Sequence, residues 1–128
     1  IGLILATKLG VFKHRIMRNL EPEWDSITGF TFGKQFYSRM RECERGGCLG
    51  LVERTIDAII ETIDGLKLSQ VHAKRIGKGA NDPQEMRGQD KAWRRDIDDE
   101  YHLHYWEGKD GTLEFASVGP HNMFDIPR

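Results

Sequence analysis

His102, Leu103 and His104 put two imidazoles two residues apart, the spacing at which a β-strand presents alternate side chains on one face. Glu100 and Trp106 share that parity, so the face carries two histidines, a carboxylate and a large aromatic ring. Two histidines so placed can hold a metal ion, with His121 and Asp125 approaching from the end of a following strand as further ligands. They can equally move protons near neutral pH, since imidazole alone among side chains changes charge there without perturbation. A third alternative is a hydrogen-bonded, inert pair.

Cations dominate the stretch before this strand. Between His72 and Arg95 stand Lys74, Arg75, Lys78, Arg87, Lys91, Arg94 and Arg95, against only Asp82, Glu85 and Asp90. That local excess of four positive charges sits on a chain whose net charge is -1, so the remainder is acidic. Such a segregation suits phosphates, the groups that dominate nucleic-acid affinity; the competing reading is a solvated loop. Gly77 to Asp82 lacks the third glycine of a dinucleotide fingerprint, and no nucleophile-elbow, zinc-protease or Walker pattern occurs. Cys43 and Cys48 form neither a disulfide framework nor a CxxC metal pair, and read as reduced thiols of a cytoplasmic protein.

The elements that must carry these residues follow from periodicity. Leu5, Leu9, Phe12, Ile16 and Leu20 recur at helical steps over residues 3 to 20, and Glu21-Pro22 is expected to end that helix. Ser26 to Phe32 favours a strand, and Lys34 to about Glu44 an amphipathic helix broken at Gly46-Gly47. Leu49 to Ile63 repeats the helical pattern strongly, with Gly65 as its stop. Residues 67 to 88 show no periodicity and read as an exposed loop or broken helix. From Lys91 the pattern alternates by two. Trp93 to Ile97 and Tyr101 to Trp106 read as strands, with a turn at Glu107 to Gly111 and a returning strand from Thr112 to Val118. The order predicts an α+β fold, N-terminal helices packed on one face of a small antiparallel sheet.

Length and composition bound the rest. The 128 residues suit one domain, and 19 basic against 20 acidic residues with 38% hydrophobic content exclude a disordered tail, a collagen and a globally basic nucleic-acid binder. No apolar run approaches the ~18 residues of a membrane helix, and IGLILA lacks the charged leader of a signal peptide, so no membrane partner is expected.

The run from Gly77 to Trp106 resembles the second half of the RelE/ParE toxin superfamily, most nearly its YoeB/RelE-like mRNA interferase branch. In that branch a glycine- and lysine-containing loop leads to a tryptophan, an Arg-Arg-Ile strand, acidic residues and an H/Y-R-L-x-Y strand. Here those stand as Trp93, Arg94-Arg95-Asp96-Ile97, Asp98-Asp99-Glu100 and Tyr101-His102-Leu103-His104-Tyr105. The resemblance covers roughly residues 26 to 121, is motif-like over 77 to 105, and makes residues 1 to 22 an N-terminal helical extension to a toxin domain at 23 to 128. It implies a RelE-like fold and a ribosome-dependent endoribonuclease that leaves a 2′,3′-cyclic phosphate by general acid/base catalysis, with neither metal nor other cofactor. Implied partners are mRNA, the ribosome and a cognate antitoxin in the cytoplasm. Matched by position, Asp82, or else Glu85, would be the base, Arg94 and Arg95 would bind phosphate and the transition state, and His121 would be the acid. Lys74, Arg75, Lys78, Arg87 and Lys91 would hold the substrate. The departure is His102, which stands where the family has a strand arginine, so the resemblance also admits a swap in which His102 or His104 performs acid/base work. The alternatives are a ParE-like gyrase inhibitor or non-catalytic binding toxin of the same fold, and an unrelated metal-dependent enzyme built on His102, His104 and His121.

Overall fold

A computed structural model describes residues 2–46 and 50–128. Three helices precede the sheet: α1 (Gly2–Met17), α2 (Phe36–Arg45) and α3 (Leu51–Ile63). Six strands follow or interleave: β1 (Phe30–Phe32), β2 (Val71–Ala73), β3 (Met86–Arg87), β4 (Asp90–Asp96), β5 (Tyr101–Glu107) and β6 (Leu113–Pro120). They form one sheet in the order β1-β6-β5-β4-β2, with the short β3 also paired to β4. The class is α+β, as the alternation of patterns indicates. The sheet is mixed, because β1 runs parallel to β6, Phe30 beside Leu113 and Phe32 beside Phe115.

Leu51, Thr55, Ala58 and Ile59 form the buried stripe of α3. Gly65 at φ +66 terminates the helix. The N–H groups of Gly65 and Leu66 reach back to the carbonyls of Thr62 and Glu61, closing a Schellman motif. The same device ends α1, and it does so earlier than Glu21-Pro22. Asn19 takes the left-handed conformation, and the amides of Asn19 and Leu20 bond the carbonyls of Ile16 and Arg15. Gly47, Cys48 and Leu49, which carry part of the expected break, one of the two thiols and the expected first turn of the third helix, lie outside the described residues, as does Ile1.

The extension at residues 1 to 22 joins the body of the protein. Val11 is buried with Ile27 and Ile60, and Arg15 donates to the Asp64 carboxylate at 2.8 Å. The outer side of α1 keeps Leu5, Leu9 and Ile16 exposed. No helix among the described residues is long and apolar enough to cross a membrane.

The helices lie on one face of the sheet only. There Leu103 and Tyr105 of β5 and Phe115 and Val118 of β6 pack against Phe36 and Met40 of α2 and Leu51, Ala58 and Ile59 of α3. The pleat sends His102, His104 and Trp106 to the opposite face, with Arg94 and Asp96 of β4 beside them in register. A bulge falls in β6, where His104 pairs with Ser117 and Tyr105 with Phe115, so Ala116 is passed over. Residues 121 to 128 then return across this second face. Ile126 packs on Ala92, Trp106 and Ala116, and the Trp106 indole donates to the Pro127 carbonyl at 2.9 Å.

Two further differences from the sequence expectation concern short strands. β1 is confined to Phe30–Phe32, because Trp24–Ser26 forms a 3-10 turn whose Ser26 hydroxyl bonds the Glu23 carbonyl. The stretch 67 to 88 holds an edge strand, β2, whose His72 lies opposite Arg94.

Candidate active site

The return of the C-terminal segment and the loop after β2 leave a cleft of about 430 Å³ on the helix-free face. His72 from β2, Arg94 from β4 and His104 from β5 line it, with His121 and Phe124 from the C-terminal segment and Lys74, Arg75 and Lys78 from the loop. Its imidazoles and cations therefore come from β2 with its following loop, from β4 and β5, and from the C-terminal segment.

The loop is built by its own residues. Asp82 accepts the Gly79 amide at 2.8 Å, and a Cβ at Gly79 would run into the Asp82 carboxylate. Arg75 donates to the Asp82 carbonyl at 2.8 Å. Asp82 thus closes a turn, and its carboxylate is engaged there rather than presented in the cleft as a base. Lys74 is almost wholly buried, its ammonium held by Glu85 at 2.9 Å and by the Arg75 carbonyl. Glu85 is likewise occupied, since Arg128 reaches its other oxygen at 3.4 Å. Lys78 projects over the Phe124 ring, 4.9 Å from its centre.

Arg94 and Arg95 part company. Successive strand residues face opposite ways, and only Arg94 lines the cleft. Arg95 is 1% exposed on the helix side, bonding the Leu66 carbonyl at 2.7 Å with Glu61 3.7 Å away. Burial lowers its pKa, opposed by the phenol of Tyr105 and the carboxylate of Glu61. Its place under the helices removes it from any substrate, which corrects the expectation that the two arginines act together. Arg87 and Lys91 are also elsewhere. Arg87 is bound to Glu114 and Asp90 at the far end of the sheet and stacks on Trp106, and Lys91 lines a hollow beside the Glu107–Gly111 turn.

The histidines form a chain around Asp96. His102 and Asp96 are cross-strand partners, with Nε2 3.3 Å from Oδ1. The other carboxylate oxygen lies 3.4 Å from Nε2 of His72, and Nε2 of His102 meets Nδ1 of His121 at 2.9 Å. His102 faces Gly119 on β6, and the chain turns back two residues later, at His121, whose amide bonds the Glu100 carbonyl at 2.6 Å. His104 is fully buried, its Nδ1 3.5 Å from the Ser117 hydroxyl and its Nε2 without a partner. Among the described residues no three of His, Cys, Asp and Glu converge in the manner of a metal site. Asp125 has turned away to Arg39, at 3.1 Å.

Burial, reinforced by the charge of Arg94, pushes His102 down to about 4. Burial, with His102, Lys74 and Arg94 nearby, pushes His104 down to about 3. Both are neutral at pH 7, so neither is an acid there; His104 floors the cleft, and His102 lies beside it in the adjoining hollow with Asp96 and His121. A consequence for stability follows. These pKa values lie below the ordinary 6.5 of an unfolded histidine, so in acid the unfolded chain binds more protons than the folded one. Stability is complete above the unfolded pKa and falls as pH drops through 6.5 toward 4. Urea titrations at pH 7 and pH 5.5 should differ by about 2.5 kcal/mol, since each histidine contributes about 1.4 kcal/mol per unit only once the pH is below 6.5. H104Q should show about half that slope, and a flat wild-type profile would contradict neutral burial.

Sequence reasoning overlooked two residues that line the cleft, His72 and Phe124, and Asp96, which lines the adjoining hollow with His102 and His121. His72 sits in a three-residue strand too short to show alternation. Asp96 stands within the Arg-Arg-Asp-Ile run with nothing in the local pattern to single it out, and Phe124 lies in an aperiodic tail. The His-Leu-His spacing located the right face of β5, and the same parity extended to β4 would have placed Asp96 on it. No protein-family model, no curated protein and no solved structure matches the chain.

Proposed function

We propose that the protein is an endoribonuclease toxin of a toxin–antitoxin pair, acting on ribosome-bound mRNA. The observation that carries the reading is the cleft itself, which unites the guanidinium of Arg94, the Lys78 ammonium and the imidazoles of His72 and His121. The RelE/ParE resemblance of residues 77 to 105 supports it independently of that geometry.

Cleavage of RNA by its own 2′-hydroxyl needs a base, charge stabilisation at phosphorus and an acid for the leaving oxygen. His72 has its Nε2 toward the Asp96 carboxylate, which holds the proton on that nitrogen and leaves Nδ1 as a lone pair to take the 2′-hydroxyl proton. The 2′-oxygen then bonds to phosphorus as the bond from phosphorus to the 5′-oxygen breaks, and the Lys78 ammonium protonates that departing oxygen. Arg94, whose buried Nε has no partner among the described residues, faces the phosphoryl oxygens. The products are a 2′,3′-cyclic phosphate and a 5′-hydroxyl. Phe124, exposed beside Lys78, offers a nucleobase a stacking surface. The exposed apolar stripe of α1 and its lysines suit the amphipathic, acidic segment of an antitoxin.

Expression in cells, with growth followed and mRNA 5′ ends mapped, tests the reading. Wild type should arrest growth and create new 5′ ends inside translated frames, with no such ends for H72A. Ribosomes programmed with message should show the same cleavage under chelation of divalent ions beyond those the ribosome requires, and none on a message with a 2′-deoxy substitution at the cut. Arrest without cleavage would favour a gyrase-inhibiting or purely binding toxin, and loss on selective chelation a metal enzyme.

A further inference from the structure

We propose that His102 is a positioning residue that fixes the tautomer of His121, so that His121 meets substrate as a neutral Nε2–H donor to phosphate and not as a general acid. The inference deepens the nuclease reading and rests on it for the identity of the ligand, but not for the state of the ring.

The 2.9 Å hydrogen bond between Nε2 of His102 and Nδ1 of His121 has two possible directions. Two observations select one. The Asp96 carboxylate lies 3.3 Å from the same Nε2, where a proton is attracted and a bare lone pair is repelled. The other nitrogen of His102, Nδ1, is buried without a partner among the described residues. A proton there would be an orphaned donor, which folded proteins tolerate less than an under-used acceptor. His102 therefore carries its proton on Nε2 and donates it to His121 Nδ1. Its own charge state agrees, because burial and Arg94 keep the ring neutral at physiological pH.

The consequence passes to His121. With Nδ1 accepting, its proton sits on Nε2, on the far side of the ring from His102. With Nδ1 taken up by the His102 N–H, the proton that His121 presents to the cleft is the one on Nε2. His121 at the cleft rim is then a donor of fixed direction, suited to a phosphoryl oxygen. The charged and titratable groups around this pair are Arg94 and Asp96 from β4, His72 from β2, His104 on β5, and Asp98 and Asp99 from the turn before β5. Asp96 serves both imidazoles, His72 directly and His121 through His102, and His121 itself makes no hydrogen bond to it.

Two-bond imidazole correlation spectra of the 15N-labelled free protein test the tautomer without substrate. His121 should appear as the Nε2–H form in wild type and in H102Q, whose carboxamide N–H donates in the same place, and as a mixture in H102L. A wild-type His121 in the Nδ1–H form would overturn the proposal. The wild-type and H102Q spectra decide it even where H102L does not fold. In cleavage assays H121Q, which restores an N–H near the Nε2 position, should keep activity within about tenfold, while H121A should lose about 100-fold, the usual effect of one transition-state donor. Equal losses in the two variants would restore His121 as an acid and overturn the proposal. The expected spectra together with an inactive wild type would leave the tautomer standing and remove the nuclease reading.

Discussion

R94A should lose RNA cleavage by about 100- to 1,000-fold, as when a single oxyanion donor is removed, while its urea midpoint stays close to that of wild type. R95A should do the reverse. The two residues are adjacent and identical in type, and the contrast follows from the pleat alone. Arg94 lies over the cleft, its Nε without a partner among the described residues, so its deletion removes charge from the substrate and little from the fold. Arg95 is sealed beneath the helices, where it satisfies the Leu66 and Lys67 carbonyls and faces Glu61. Removing it strands those acceptors in a buried setting, a loss of about 3 kcal/mol. Cleavage by R95A, measured at a temperature where it remains folded, should be within a few fold of wild type. Comparable activity losses in both variants, at equal folded fraction, would mean that both arginines reach the substrate.

F115A should destabilise the protein by about 4 kcal/mol, within the range for truncating a buried phenylalanine. Phe115 is fully buried on the middle of β6, and its ring meets those of Phe30, Phe32 and Tyr105. It is therefore where the parallel edge strand, the antiparallel meander and the helix layer join. Its loss leaves a cavity that the surrounding strands cannot close without breaking β1 from β6. Urea unfolding of F115A against wild type measures the effect, and F124A is the control. Phe124, also aromatic but exposed on the cleft rim, should change stability by less than about 0.5 kcal/mol. A loss below about 1.5 kcal/mol for F115A would mean that this junction is not the centre of the core.

The helices were legible because each buries a stripe against something, and a stripe imposes a 3.6-residue period. In α3 the apolar residues at 51, 58, 59 and 60 announce the helix with no knowledge of its partner. The long strands were legible for the matching reason. Trp93, Leu103 and Tyr105 face helices while Arg94, His102 and His104 do not, so the chain alternates. Strand partnership left no such mark. Neither the parallel pairing of β1 nor the existence of β2 follows from local pattern, because three residues carry too little periodicity and their neighbours come from distant parts of the chain. The site was half legible for the same reason. The face of His102 and His104 could be read from one strand, whereas the separation of Arg94 from Arg95 required knowing which side the helices cover. Asp82 looked free as a carboxylate in a loop of cations, and only the fold of that loop shows it spent on Gly79.

The pairing of Phe30 with Leu113 joins positions separated by most of the chain. Contacts of this kind are slow to form, since the entropy of closing the loop is lost before any pairing compensates it. During synthesis the three helices and β1 emerge first, and β1 has nothing to pair with until β6 is made. The strands that floor the cleft and the segment that carries His121 are later than every helix. On the proposed reading, a nascent chain shows its helical surface to a partner before it has an active site, so neutralisation can precede toxicity within the lifetime of a single translation event.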